Sequence, residues 1–180
     1  WSLETIPERI PQLTDFFSIQ QVESILHDPE QALLPREYDE KFHILQSPGL
    51  FLRDLEHYRR KCTLRDISIS VGFIDIDDFK AFNTDYGETE VDRKILPLLM
   101  RTIEAHVYAH GHAYRFGGDE YAIIIPNSSR EYSGNFINVL KDKIAGLQYQ
   151  SIKGKTSVSI GVCNIDSNCF LTNQEIQQRA

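Results

Sequence analysis

The ten residues Ile67-Ser-Ile-Ser-Val-Gly-Phe-Ile-Asp-Ile constrain the fold more than any other stretch. The run is rich in β-branched residues, alternates at first and then becomes continuously apolar, the pattern of a buried strand over 67–76. The 180 residues suffice for one compact domain with a short appendage. Helical spacing returns at Val91, Ile95, Leu98, Leu99 and Ile103. Pro97 inside that stretch predicts a kink, or a start nearer the proline. Tyr114-Arg-Phe, Gly-Gly-Asp-Glu and Tyr121-Ala-Ile-Ile-Ile read as strand, tight turn and strand, with the two glycines supplying positive φ. Ser128-Ser-Arg-Glu131 has the form of a capping box, opening a helix with the face Phe136, Val139, Leu140 and Ile144. A further strand is expected over 155–163, and another helix from Asn173. The order helix, strand, helix, hairpin, helix, strand, helix predicts an α/β (α+β) fold, its mostly antiparallel sheet flanked by helices.

Residues 1–60 read as a helical extension or linker, and 61–180 as the domain. Ser18-Ile-Gln-Gln21 is a capping box, followed by Ile19, Val22, Ile25 and Leu26 at helical spacing. Pro29 and Pro35 then break the chain, and a second helix over 51–61 has a packing role. The first residue is Trp1, not Met, so a longer parent with a sensor or a membrane anchor is compatible with this sequence. No apolar run approaches the roughly 20 residues of a membrane span, and no leader pattern is visible. Cys62, Cys163 and Cys169 lack ligand spacing and read as reduced thiols in a cytoplasmic domain. A net charge of −7 disfavours nonspecific nucleic-acid binding. It leaves room for one phosphorylated ligand held through a metal.

The chemistry is concentrated in acids. Asp75, Asp77 and Asp78 close the apolar strand, and Asp119 and Glu120 occupy the glycine turn. Period two puts Asp75 and Asp77 on one face. If the hairpin pairs beside the 67–76 strand, Asp75 approaches Asp119 and Glu120. Three carboxylates so close repel unless a cation joins them. Hard oxygen ligands with space for phosphates describe a Mg²⁺ site suited to phosphoryl or nucleotidyl transfer. Taken singly, acids at strand ends are ordinarily solvated loop charges, and Asp78 is read that way.

Two blocks then coincide. Phe-Gly-Gly-Asp-Glu-Tyr at 116–121 resembles the signature of the GGDEF family, the diguanylate cyclases, with Tyr121 for the final Phe. Asp75-Ile-Asp-Asp-Phe-Lys80, Asn83, Tyr86-Gly87 and Asp92 resemble the family's D-I-D-x-F-K-x-x-N-D-x-Y-G-H-x-x-G-D run. Arg115 fits the Arg before the glycines, and Ser159-Ile-Gly161 the late S-x-G strand. The resemblance implies a palm-like nucleotidyl cyclase sheet and a homodimer that condenses two GTP into cyclic di-GMP. It implies Mg²⁺ (or Mn²⁺) on Asp75, Glu120 and the Ile76 carbonyl, with Asp119 beside a second metal, helping to deprotonate the 3′-hydroxyl. The Phe79 amide and Lys80 would hold the β- and γ-phosphates. Gly117 and Gly118 would let the backbone approach the nucleotide, and Asn83 and Asp92 would read guanine. An Asp at 92 favours GTP over ATP, since it accepts from N1–H and the 2-amino group. Outside that register, Lys80 is a solvated lysine, Asn83 a turn residue and Asp92 an acid complementing a helix N-terminus. Phe79 and Phe82 read as core.

The chain departs from the pattern at Thr84, Glu88 and Val91, where the family has Asp, His and Gly. Of the family's opening D-x-L-T-G-L-x-N-R, Gly49, Leu50 and Arg53 survive. An inhibitory R-x-x-D would need Arg at 108 and Asp at 111; Tyr108 and Gly111 stand there, so no product inhibition of that type is expected. The family's last helix, with its triphosphate-binding Lys and Arg, is not reached by Gln178-Arg-Ala180, and weaker binding is expected if the protein stops there. Three readings stay open: an active diguanylate cyclase, a catalytically silent module for nucleotide binding or association, and a palm acting on another nucleotide.

Overall fold

The computed structural model of the chain describes residues 35–150, 152–169 and 175–176. The chain divides into two units, Trp1–Pro35 and Arg36–Ala180. The helix expected after Ser18 lies outside the described residues. The elements of the second unit are α1 (Pro48–Arg65), β1 (Ile69–Ile76), α2 (Phe79–Tyr86), a turn at Glu88–Glu90, a π-helical segment at Val91–Ile95, α3 (Leu96–Val107), β2 (His112–Arg115), β3 (Glu120–Ile125), α4 (Arg130–Ala145) and β4 (Val158–Ile165). The four strands form one sheet in the order β2-β3-β1-β4, and every neighbouring pair is antiparallel.

Alternation puts Ser70, Gly72, Ile74 and Ile76 of β1 on one face and Ile69, Val71, Phe73 and Asp75 on the other. On the first face, Ile74 and Ile76 join Leu99, Met100 and Ile103 of α3 and Phe136, Leu140 and Ile144 of α4 in one apolar cluster. The second face is covered by α1, which buries Phe51, Leu55, Tyr58 and Cys62 at helical spacing. The Phe51 ring meets Phe73, Tyr114 and Phe116 edge-on at 5.5, 5.4 and 5.2 Å. Cover on both faces is why β1 is apolar almost throughout. On the α1 side that cover ends at Phe73, one alternation short of Asp75, which is exposed.

The helix α1 extends past the expected 51–61 at both ends and runs across the 60/61 position where the sequence pattern starts the domain. Pro48 occupies its first turn, where a missing N–H is harmless, and Asp66 ends it in a left-handed conformation with φ 50°. Of the two consequences expected of Pro97, the structure shows the helix start near the proline. The Leu96 N–H bonds five residues back to the Val91 carbonyl, and the α-helix restarts with the proline in its first turn.

Three local expectations are corrected. Leu98 and Val139 are exposed, and Ile137 takes the buried place expected of Val139. The cap of α4 is Ser129, which accepts from the Tyr132 N–H at 3.1 Å. Ser128 is buried instead, its hydroxyl 2.7 Å from the Ile125 carbonyl oxygen and 2.9 Å from Ser70 Oγ. Asn164 Nδ2 donates to Ser70 Oγ and the Ser128 carbonyl at 3.0 and 2.9 Å, so these buried polar groups satisfy one another.

A side-chain carbon on Gly111 would stand 2.0 Å from the Ile124 carbonyl oxygen, leaving no room there for any larger residue. Gly111→Ala is therefore expected to lower stability by about 1–3 kcal/mol. Urea unfolding checks this, and an unchanged midpoint would contradict the close approach.

Candidate active site

The ladder sets Asp75 directly opposite Glu120 of β3 on one side and Ser159 of β4 on the other. The hairpin thus pairs beside β1, and the two acids stand as cross-strand partners with Cα atoms about 5 Å apart. Asp119 belongs to the turn; its carbonyl accepts from the Ile76 N–H at 3.3 Å. Partial desolvation at this largely exposed strand end, reinforced by the charges of Asp119, Glu120 and Asp77, pushes the Asp75 carboxyl above the usual range. Asp77 is turned to structural use. Its carboxylate accepts from Ser157 Oγ at 2.6 Å and Ser159 Oγ at 2.7 Å, and these hydroxyls hold it below the usual range. Phe73, Asp75, Phe116, Glu120, Lys141 and Ser159 are among the residues lining a cavity of about 620 Å³.

Among the described residues, no three His, Cys, Asp or Glu side chains are grouped to hold one ion. The ladder itself brings two of the expected acids together as a pair, Asp75 and Glu120, and the charge of Asp119 also bears on Asp75. This pair suits a divalent cation chemically, since its oxygens are hard donors and its mutual repulsion is what a cation would relieve. Asp75→Asn removes that repulsion and is expected to stabilise the metal-free protein at pH 7 by a few tenths of a kcal/mol. The sign follows from the raised carboxyl: below the ordinary Asp range both proteins carry a neutral group and the gain vanishes. As pH rises through the raised value, the parent loses stability that the variant keeps. Thermal melts at about pH 3.5 and pH 7 check this, and a variant less stable than its parent at pH 7 would contradict it.

Asp78, left-handed at φ 53°, turns the chain from β1 into α2, and its carbonyl accepts from the Ala81 and Phe82 N–H groups at 2.8 and 3.3 Å. Asp tolerates that conformation better than most residues. Phe79 and Lys80 follow in the first turn of α2. Phe79 and Phe82 pack against the core as expected, while Lys80 is exposed. Asn83 lies within α2, and its carbonyl accepts from the Gly87 N–H at 3.0 Å. Asp92 lies in the π-helical segment, with its Oδ2 2.6 Å from Lys41 Nζ. Lys80, Asn83 and Asp92 are not among the residues lining the cavity beside the acid pair.

The glycine turn differs from expectation. Neither Gly117 nor Gly118 takes positive φ; among the described glycines only Gly87 does. Residues 116–119 connect the strands, closed by the Phe116 N–H on the Glu120 carbonyl at 2.9 Å, so the turn is wider than the two-residue type that demands positive φ. A side-chain carbon on Gly118 would sit 3.5 Å from Phe79 Cε1, and one on Gly117 would sit 4.0 Å from Glu120 Oε2. Arg115 reaches buried Asp39 at 3.4 Å and lies 4.9 Å over the Phe42 ring, bracing the segment before α1. Sequence reasoning missed Lys141, which gives no signal on the polar side of α4. It noticed Ser159 only as part of a pattern.

Residues 45–180 match the family model described as diguanylate cyclase, GGDEF domain. The chain is 26% identical over 117 residues to the diguanylate cyclase DosC of Shigella sonnei, covering 63% of this chain and 24% of that protein. It is 25% identical over 150 residues to the diguanylate cyclase DgcM of Escherichia coli, covering 80% of this chain and 36% of that protein. The matched part thus spans about a quarter to a third of these relatives' length. Among solved structures, the GGDEF domain of FimX from Pseudomonas aeruginosa superposes with a TM-score of 0.72 at 17% identity, covering 82% of this chain and 90% of that one. The GGDEF domain of DgcB from Caulobacter crescentus, in complex with c-di-GMP, gives 0.71 at 21% identity, covering 82% and 85%. These likenesses identify the sheet as the palm-like fold. No helix among the described residues is long and apolar enough to cross a membrane.

Proposed function

The chain belongs to the GGDEF domain family of diguanylate cyclases, and from that premise we propose that it binds GTP at the Asp75–Glu120 end of the sheet and condenses two GTP into cyclic di-GMP. The observation that carries this is the register pairing Asp75 with Glu120 beside the open cavity. Asp75, Glu120 and the Ile76 carbonyl would hold Mg²⁺ or Mn²⁺, which when bound lowers the pKa of the 3′-hydroxyl and offsets phosphate charge. Asp119, in the turn next to Glu120, accepts the hydroxyl proton. The first turn of α2 presents the Phe79 N–H and the Lys80 ammonium to the β- and γ-phosphates. Asn83 and Asp92 accept from the guanine edge. Two copies face one another, and each 3′-oxygen bonds to the other nucleotide's α-phosphorus as the α–β bridge breaks. Two pyrophosphates leave. In the cell the domain works inside a longer protein that supplies the activating signal, as the length of its relatives suggests.

Incubation with GTP and Mg²⁺ at a concentration where dimers exist should give cyclic di-GMP. The Lys41–Asp92 ion pair favours a second reading, a silent module in which the guanine-reading acid is already engaged. Thermal stabilisation by GTP without product would select that reading, and no response to GTP would reject both.

A further inference from the structure

We propose that Lys41 is a base-reading residue, donating to guanine O6 while Asp92 accepts from N1–H. The inference rests on the nucleotide reading above but uses a residue that neither motif block contains. Lys41 Nζ lies 2.6 Å from Asp92 Oδ2, although 51 residues separate them.

The lysine is held by a tightly built loop. Buried Asp39 accepts from the Lys41 and Phe42 N–H groups at 3.1 Å each and from Arg115 at 3.4 Å through the same Oδ1. The Asp39 N–H donates to the Leu45 carbonyl at 2.9 Å, and the His43 N–H to the Asp39 carbonyl at 3.1 Å, so the loop closes on itself. Arg115, immediately before the glycine turn, therefore braces the backbone that carries Lys41.

Guanine presents two donors, N1–H and the 2-amino group, and one acceptor, O6. An aspartate satisfies only the donors, and an acceptor left bare on binding weakens the complex. The Lys41 ammonium has three N–H groups, and Asp92 Oδ2 takes one. N1 and the carbon bearing O6 are bonded neighbours, so a cation beside the carboxylate oxygen that receives N1–H is also beside O6. Adenine carries an amino donor there, which an ammonium repels. An exposed ion pair is weak by itself, so the nucleotide can insert without displacing a strong interaction.

The test compares 3′-deoxy-GTP with its 6-thio analogue, binding in Mg²⁺ at pH 7 being read by calorimetry. The 3′-deoxy sugar prevents turnover, and the sulfur replaces O6 with a poor acceptor while keeping N1–H and the 2-amino group. Both ligands carry the same triphosphate, so general attraction to a lysine cancels in their ratio. The parent should bind the oxo form about tenfold more tightly. Lys41→Met should weaken the oxo form about tenfold and bring the ratio near one, and Lys41→Arg should retain the preference. The lysine side chain is 53% exposed, so the variant should fold, with circular dichroism as control. An unchanged ratio in Lys41→Met overturns the proposal. So does tighter binding of 3′-deoxy-GTP, which would make Lys41 a competitor for Asp92. If the parent binds 3′-deoxy-GTP, such a failure belongs to Lys41 alone; if it binds neither nucleotide, the nucleotide reading fails with it.

Discussion

Glu120→Gln is expected to cut cyclic di-GMP formation about a thousandfold while leaving the protein folded. The amide keeps the shape of the carboxylate but loses its charge, and a neutral amide is a poor replacement where a hard cation must be held between two strand ends. Glu120 is one half of the pair that the ladder makes with Asp75. Asp119, in the turn, has no such cross-strand place opposite Asp75. Unfolding cannot mimic the effect, because the change removes a like charge facing Asp75 and should leave the melting temperature unchanged or slightly higher. Product formation under saturating Mg²⁺, with a melt on the same sample, reads both quantities. Activity within tenfold of the parent would remove Glu120 from the metal site.

Asp54→Ala should cause the largest loss of stability among the changes considered, about 3–4 kcal/mol. Asp54 sits on α1 and is only 1% exposed. Its Oδ1 accepts from Arg36 at 3.1 Å, and its Oδ2 accepts from Arg36 and from the Tyr114 hydroxyl, each at 2.5 Å. Burial, then the Asp54 charge, pushes the Tyr114 hydroxyl up, so it stays a donor. Truncation strands that donor in the core and leaves Arg36 without its counter-ion. Beside them His112 is pushed down to about 4, by burial first and then by Arg36, with the Tyr58 oxygen 2.8 Å from its Nε2. Its contribution to stability is complete above the ordinary histidine value and is lost as pH falls toward 4. Urea unfolding at pH 7 measures the Asp54 effect, and a loss under about 1 kcal/mol would contradict the network.

What was legible in the sequence follows from where side-chain period and burial agree. The apolar run of β1 implied cover on both faces, and α1, α3 and α4 supply it. The glycine ribbon implied a hairpin, and its pairing beside β1 brought Glu120 to Asp75. Other features depend on distant partners. A charge at a helical position reads as solvated, yet Asp54 is buried because Arg36 and Tyr114 meet it there. Ser128 and Ser129 are equivalent as letters, and the Ile125 carbonyl and the buried hydroxyl of Ser70 hold Ser128 away from the cap. The glycines of the turn read as conformational, but neither takes positive φ, and a side-chain carbon on either would make only ordinary contacts. Nothing local marks Lys41, which owes its place beside Asp92 to a loop closed on Asp39.

The most direct test of the account is a crystal of the protein grown with 3′-deoxy-GTP and Mn²⁺, examined by anomalous scattering. A Mn²⁺ peak is expected about 2.1 Å from carboxylate oxygens of both Asp75 and Glu120, against the nucleotide phosphates. Nucleotide bound with the ion on other residues, or with no ion between those two strands, would contradict it.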